Sequence, residues 1–106
     1  MREMGITMSL MAGKRGLIMG VANERSIAWG IAKALRQHGA ELAFTYQGEA
    51  LRKRVQPLAL SLDSDFILEA DVGSEQSLDS VFAAMAERWG RLDFVVHAVA
   101  FPTRTN

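Results

Sequence analysis

Gly20 and Ser26 bracket the stretch of this sequence that is best suited to hold a phosphate group. The segment is RGLIMGVANERSIAWGIAKALRQ. It begins with an apolar run, and its pattern predicts a turn at Gly20, a polar loop and then a helix after Ser26. Unpaired N–H groups and the helix dipole place partial positive charge at a helix N-terminus, so anions bind there. Ser26 is a good N-cap and could also donate its hydroxyl to a phosphate oxygen. The usual G-x-G-x-x-G fingerprint is incomplete, and a strand–loop–helix without a ligand is the alternative.

Polar residues also follow the second and third apolar runs. Asp71 comes directly after DFILEA, where its carboxylate can accept a hydrogen bond from an adenine amino group and the Val72 backbone can pair with the ring. A turn or helix-capping aspartate is the alternative, because Asp favours such positions. Gln47 follows ELAFTY, where many NAD-binding domains place an acid for the ribose 2′-hydroxyl. No Lys or Arg stands directly at that strand end to bind a 2′-phosphate, so the sequence favours NADH over NADPH.

The other side chains that could take part in catalysis or binding are predicted to have structural roles. His97 lies inside the last apolar run, and we expect a packed core histidine there rather than a base. Trp29 and Trp89 are predicted to be packing residues. The basic run 52–54 is interpreted as the solvated face of a helix.

Composition excludes several classes of function. The chain has 106 residues, no cysteine, two histidines far apart, and equal numbers of basic and acidic residues. A disulfide framework, a thiolate nucleophile and cysteine metal sites are excluded, and a histidine metal cluster is not expected. The charge balance points to neither nucleic acid nor a membrane surface as a partner. Without a bilayer-spanning apolar run or a convincing signal peptide, we expect a cytoplasmic protein.

Hydrophobic periodicity predicts strands that alternate with helices, in the order β-α-β-α-β-α-β. The strands are predicted at 16–19, 41–46, 65–70 and 92–101, and the helices at 26–37, 48–62 and 74–89, with a kink or restart at Pro57. The apolar face of the first helix is predicted to consist of Ile27, Ile31, Ala34 and Leu35. That of the third is predicted to consist of Leu78, Val81, Phe82, Met85 and Trp89.

This order predicts an α/β fold with a Rossmann-like, doubly wound parallel sheet, truncated after the fourth strand. The fourth strand is expected beside the first, and ligands bind at that switch point, at the carboxyl ends of the strands. Gly20 and its loop, Gln47, Asp71 and the segment 98–100 would therefore converge on one crevice. This convergence makes a dinucleotide site the favoured hypothesis.

The same segments resemble a known family. GVANERSIAWGIAKAL, GAELAFTYQ, the ADV triplet and RLDFVVHAVAF are similar to bacterial enoyl-acyl-carrier-protein reductases, a divergent branch of the short-chain dehydrogenase/reductase superfamily. The resemblance implies a cytoplasmic homotetramer of fatty acid biosynthesis that reduces the double bond of an enoyl-acyl-carrier-protein substrate with NADH. It also implies that the cofactor is bound by ten positions of this chain: Gly20, Ala22, Ser26, Ile27, Gln47, Asp71, Val72, Ala98, Val99 and Ala100.

The family's catalytic Tyr and Lys, separated by six residues, are expected beyond the fourth strand, and no such pair occurs in these 106 residues. The only tyrosine is Tyr46, on the cofactor half, while Lys33 and Lys53 lie on the first two predicted helices. We therefore expect the NADH-binding half of a reductase, inactive by itself. A free-standing nucleotide-binding module and an inactive truncation product are the alternatives.

The resemblance divides the chain into three segments. We expect an N-terminal extension over 1–12, the N-terminal half of a dinucleotide-binding domain over 13–101, and an unrelated tail over 102–106. In the family, Ala-Phe is commonly followed by Ser-Asp-Lys-Asn-Glu-Leu. Deleting one base from a coding sequence chosen for that continuation yields Phe-Pro-Thr-Arg-Thr-Asn and a stop, so a frameshift is one interpretation of the tail.

Overall fold

A computed structural model describes residues 12–71 and 73–97. Within them four strands alternate with three helices, as predicted. The strands are β1 (Arg15–Met19), β2 (Glu41–Tyr46), β3 (Ile67–Glu69) and β4 (Phe94–His97). The helices are α1 (Ile27–Gln37), α2 (Glu49–Ser61) and α3 (Glu75–Trp89). Strand β3 is shorter than predicted, and the predicted continuation of β4 beyond position 97 lies outside the described residues.

The strands form one parallel sheet in the order β3-β2-β1-β4. Strand β1 is central, and its Leu17 is the register partner of Ala43 on one side and of Val95 on the other. The chain thus adds β2 and β3 on one side of β1 and then returns to place β4 on the other. The predicted α/β, Rossmann-like, doubly wound sheet and its switch point between β1 and β4 are confirmed.

Alternate residues of the central strands serve two separate apolar layers. Ile18 and Phe44 belong to the core on the side of α1 and α2, while Leu17 and Ala43 belong to the core on the side of α3. All four side chains are fully buried. Because both faces of β1 are covered, its sequence after Arg15 contains no polar side chain.

Helix α1 presents a different face to the core from the predicted one. The buried residues are two alanines and a tryptophan, Ala28, Trp29 and Ala32, whereas Ile27 is 73% exposed and Ile31 is 37% exposed. Of the predicted apolar face, Leu35 packs against the core and Ala34 is exposed. The prediction weighted side-chain size, but small residues allow a helix to approach a sheet closely, and the indole of Trp29 fills the remaining space.

Helix α2 runs through Pro57 without interruption, so the restart is wrong, while the kink predicted as the other possibility stays a prediction. The proline is exposed, and the flanking Val55 and Ala59 are fully buried beneath the helix. Their packing offsets the loss of one backbone hydrogen bond at the proline. The basic run 52–54 is exposed, as predicted for a solvated face.

Helix α3 begins and ends with strong local signals. The Ser74 hydroxyl caps its first turn by accepting the Ser77 N–H at 3.2 Å, and Gly90 ends it in a left-handed conformation with φ of 79°. Trp89 packs edge-on against Phe66 with ring centroids 5.2 Å apart, which confirms its packing role. Within the predicted apolar stripe, Phe82 is 41% exposed.

Asp93 fastens β4 to β1 at the amino-terminal edge of the sheet. Its Oδ2 accepts the backbone N–H of Arg15 at 2.8 Å and the Arg91 Nε–H at 3.2 Å. Its own backbone N–H donates to the Arg15 carbonyl at 2.8 Å. The Arg15 hydrogen bond, opposed by partial desolvation and reinforced by the Arg91 charge, lowers the pKa of Asp93 below its ordinary value.

Candidate functional site at the carboxyl edge of the sheet

The loops that follow β1, β2 and β3 leave the sheet at the same edge because the strands are parallel. Tyr46 is the register partner of Glu69, and Met19 is the register partner of His97, so all four strands reach this edge together. Gly20, Gln47 and Asp71 follow these strand ends within two residues. The predicted meeting of these chain segments at one edge is therefore present among the described residues.

The hydroxyl of Ser26 organises the loop after β1. Its Oγ accepts the backbone N–H of Ala22 at 2.9 Å and that of Asn23 at 3.1 Å. These two donors are therefore satisfied within the loop. Gly20, with φ of 109°, makes the turn out of β1 that only glycine adopts easily. Since Ser26 uses its oxygen as an acceptor, its O–H hydrogen is left to donate to a ligand.

The N-terminus of α1 offers further donors. Ser26 is the N-cap residue, as predicted, but its side chain makes no capping hydrogen bond to the helix. The backbone N–H groups of Ile27 and Ala28 make no hydrogen bond within the described part of the chain. The first turn of α1 carries no acidic residue, whereas α2 and α3 begin with Glu49 and Glu75. This helix end combines free donors with the positive end of the dipole, which suits an anionic pyrophosphate.

Asp71 lies in a tight turn between β3 and α3. Its Oδ1 accepts the Gly73 N–H at 2.9 Å, and its backbone N–H donates to the Ser77 hydroxyl at 2.8 Å. Asp71 therefore has the turn-forming role that was the alternative prediction, and Oδ1 is the oxygen that serves it. The side chain is nevertheless exposed, and Oδ2 has no hydrogen-bond partner among residues 12–71 and 73–97. That oxygen fits the amino group of an adenine base.

Gln47 and His97 complete the described part of the edge. Gln47 is exposed directly after β2, and Gly48 with φ of 91° turns the chain into α2. Glu49 pairs with Arg52 at 3.5 Å on the helix, so it is occupied away from the strand end. His97 is exposed rather than packed in the core, and that prediction is wrong because β4 is an edge strand of the described sheet.

Neither a metal cluster nor a membrane span competes with this interpretation. Among the described residues no group of three or more His, Asp or Glu side chains could hold a metal ion. In the same residues, no helix has the length and apolar character needed to cross a membrane. Independently of these two findings, the Ser26 loop, the first turn of α1 and the Asp71 carboxylate offer hydrogen-bond donors and an acceptor that suit an anionic, base-containing ligand.

A family model described as enoyl-(acyl carrier protein) reductase matches residues 20–106. The match covers most of the chain and includes the Gly20 loop, Gln47 and Asp71. The chain belongs to this enoyl reductase family.

Individual enoyl reductases agree with this assignment. The chain is 68% identical over 92 residues to "Enoyl-[acyl-carrier-protein] reductase [NADH] 2" of Rhizobium meliloti (strain 1021), covering 87% of this chain and 34% of the relative. It superposes on the crystal structure of FabI from Candidatus Liberibacter asiaticus with a TM-score of 0.87 and 56% identity, covering 91% of this chain and 37% of that one. The reductase from Anaplasma phagocytophilum, crystallised in complex with NAD, gives a TM-score of 0.84 and 55% identity over 89% of this chain and 36% of that one. The chain thus spans between 34% and 37% of the length of these three relatives.

The ten predicted cofactor positions fall into two groups. Six are described: Gly20, Ala22 and Ser26 lie in the loop after β1, Ile27 begins α1 directly after that loop, and Gln47 and Asp71 follow neighbouring strand ends. Four lie outside the described residues: Val72, Ala98, Val99 and Ala100.

Sequence reasoning missed two residues of the site. Ser77 was not among the predicted site residues, although its hydroxyl accepts the Asp71 N–H at 2.8 Å. Asn23 accepts the Arg25 N–H at 2.7 Å through Oδ1 and so shapes the loop from within. Asn in a loop is a known turn former, so the sequence carried a signal for Asn23. Ser77 lies in the first turn of α3 and carried no such signal.

Proposed function

We propose that this chain is the NADH-binding half of an enoyl-acyl-carrier-protein reductase of fatty acid biosynthesis. The observation that carries the proposal is the 68% identity over 92 residues to a reductase whose name specifies NADH. When bound, the cofactor supplies the hydride that saturates the β-carbon of the enoyl thioester. The residues of this chain hold and orient it.

The geometry supports separate tasks for the described residues. The Ser26 hydroxyl and the free N–H groups of Ile27 and Ala28 bind the pyrophosphate. The free carboxylate oxygen of Asp71 accepts from the adenine amino group. Gln47, which is exposed directly after β2, is assigned by resemblance to the side of the adenosine ribose.

The outer parts of the proposed site are assigned by resemblance. The Val72 backbone pairs with adenine, and the segment 98–100 runs along the cofactor through backbone contacts. The amide of Gln47 carries no positive charge for a 2′-phosphate, so NADH is favoured over NADPH. The acyl-carrier-protein substrate, a homotetrameric assembly and a cytoplasmic location belong to the intact enzyme and are proposed with it.

Titration of the purified chain with NADH, followed by nicotinamide fluorescence, tests the proposal. We expect saturable binding that NAD competes away. A steady-state assay with an enoyl thioester and NADH should show no turnover above a no-enzyme control, because the Tyr-x6-Lys pair does not occur in these 106 residues. Absence of NADH binding would contradict the proposed cofactor site. Turnover would contradict the proposal that this chain binds NADH but is inactive by itself.

A further inference from the structure

We propose that Ser77 is a positioning residue that holds the Asp71 turn, so that the site selects purine bases bearing a 6-amino group. The inference rests on the proposed cofactor site and identifies the residue that holds the Asp71 carboxylate in place to contact the base. Asp71 makes the contact with the base, and Ser77 acts through Asp71.

The first step is the tether between the two residues. The Ser77 hydroxyl oxygen accepts the backbone N–H of Asp71 at 2.8 Å. Ser77 lies in the first turn of α3, and its own N–H donates to the Ser74 Oγ at 3.2 Å. The Asp71 carbonyl in turn accepts the Ser74 N–H at 2.9 Å. The backbone of Asp71 is therefore fastened to a rigid helix end rather than to a free loop.

The second step is the orientation of the carboxylate. Asp71 Oδ1 accepts the Gly73 N–H at 2.9 Å, which fixes the side-chain rotamer relative to the tethered backbone. The other oxygen has no hydrogen-bond partner among residues 12–71 and 73–97, and the side chain is exposed at the carboxyl edge. The turn therefore presents a single oriented acceptor to a ligand.

The third step is chemical complementarity. An ionised carboxylate oxygen only accepts hydrogen bonds, so it matches the 6-amino group of adenine. Hypoxanthine carries a carbonyl oxygen at the same position, which places acceptor against acceptor. Fixing the carboxylate converts this mismatch into selectivity, because a mobile carboxylate could turn away from the carbonyl at little cost. The tether to Ser77 therefore contributes to discrimination as well as to affinity.

Ser77→Ala isolates the tether. The variant loses the hydroxyl that holds Asp71 but keeps the Ser77 N–H bond to the Ser74 cap. Ser77→Thr keeps a hydroxyl at the same position and should restore the wild-type behaviour. Ser80→Ala is the matched control, since the exposed Ser80 hydroxyl lies on the same helix and donates to the Gln76 carbonyl at 3.1 Å.

The measurement is the ratio of dissociation constants for NADH and deamino-NADH, in which hypoxanthine replaces adenine, by fluorescence titration of the 106-residue chain. We expect wild type, Ser77→Thr and Ser80→Ala to prefer NADH by about tenfold or more, the size expected for one hydrogen bond to a charged group. Ser77→Ala should lower this ratio several-fold. A merely structural role for Ser77 would weaken both ligands equally and leave the ratio unchanged.

Asp71→Asn provides the second measurement. If the amide oxygen accepts the Gly73 N–H as Oδ1 does, the amide nitrogen replaces Oδ2 and offers a donor. The preference should then invert in favour of deamino-NADH. Suppose that the wild type binds NADH but the ratio is unchanged in Ser77→Ala, or the preference does not invert in Asp71→Asn. The inference about Ser77 would then be overturned, while the proposed function would stand. Wild type that fails to bind NADH would overturn the proposed function and this inference with it.

Discussion

Leu17 and Val95 are register partners on adjacent strands, yet Leu17 is fully buried and Val95 is 44% exposed. Both side chains point to the sheet face that α3 covers, because Leu17 belongs to the core on that side. Val81 and Met85 of α3 pack in one cluster with Leu17 on this face, whereas Val95 is exposed at its β4 margin. Phe82, 41% exposed on α3, adds apolar surface on the same side. An apolar edge strand of this kind promotes self-association.

Replacing Val95 should therefore change association more than stability. Val95→Thr keeps the β-branched shape and lowers the apolar character of the exposed margin. We expect concentration-dependent association of the isolated chain, measured by light scattering after size exclusion, to decrease in this variant. The midpoint of urea unfolding should change little, because exposed positions usually contribute within about 0.5 kcal/mol.

Leu17→Ala is the contrasting variant for this experiment. The side chain is fully buried, so its truncation should destabilise the fold by about 2–5 kcal/mol. Wild-type chain that stays monomeric at every concentration tested, with a sharp cooperative melt, would contradict the role assigned to the β4 margin.

A second prediction concerns Ser26. Ser26→Ala removes the acceptor for the N–H groups of Ala22 and Asn23 and the hydroxyl proposed to face phosphate. NADH affinity should fall about tenfold or more, since a hydrogen bond to a charged group is lost and the loop is loosened. Ser61→Ala removes an exposed hydroxyl that donates to the Leu58 carbonyl and serves as the control. Equal NADH affinity in the two variants would remove Ser26 from the site.

The alternation of strands and helices, the parallel strand order and the meeting of chain segments at the carboxyl edge all followed from sequence periodicity. These features depend on local patterns and on the handedness of crossovers, both of which a sequence contains. The buried face of α1 did not follow, because Ile27 is larger and more apolar than Ala28, and only the fitting of helix to sheet shows that the small residue packs inward. The role of Ser77 was also missed, because its bond to Asp71 crosses six positions and depends on the turn between them.

Gly20 provides a third prediction. Its φ of 109° is strained for any residue with a Cβ, and Gly20→Val should destabilise the fold by about 1–2 kcal/mol. Gly13 has a φ of 81° with open space around it, so Gly13→Val introduces comparable backbone strain far from the proposed site. Both variants should lower Tm, but only Gly20→Val should lose NADH binding as well. Parallel losses of NADH affinity in the two variants would attribute the effect to strain and not to the site.

Asp93 gives the fold a predictable response to acid. The Arg15 N–H bond lowers the pKa of Asp93 in the folded state, so this carboxylate stabilises the fold above its unfolded pKa of about 3.9 and loses that contribution as the pH falls through the lower folded value. Asp93→Asn can still accept the Arg15 N–H but does not titrate. We therefore expect the Tm of wild type to fall more steeply than that of Asp93→Asn between about pH 5 and pH 2, with the two curves converging at the acid end. Identical slopes for wild type and Asp93→Asn would show that the tie between β1 and β4 does not depend on the charge of this carboxylate.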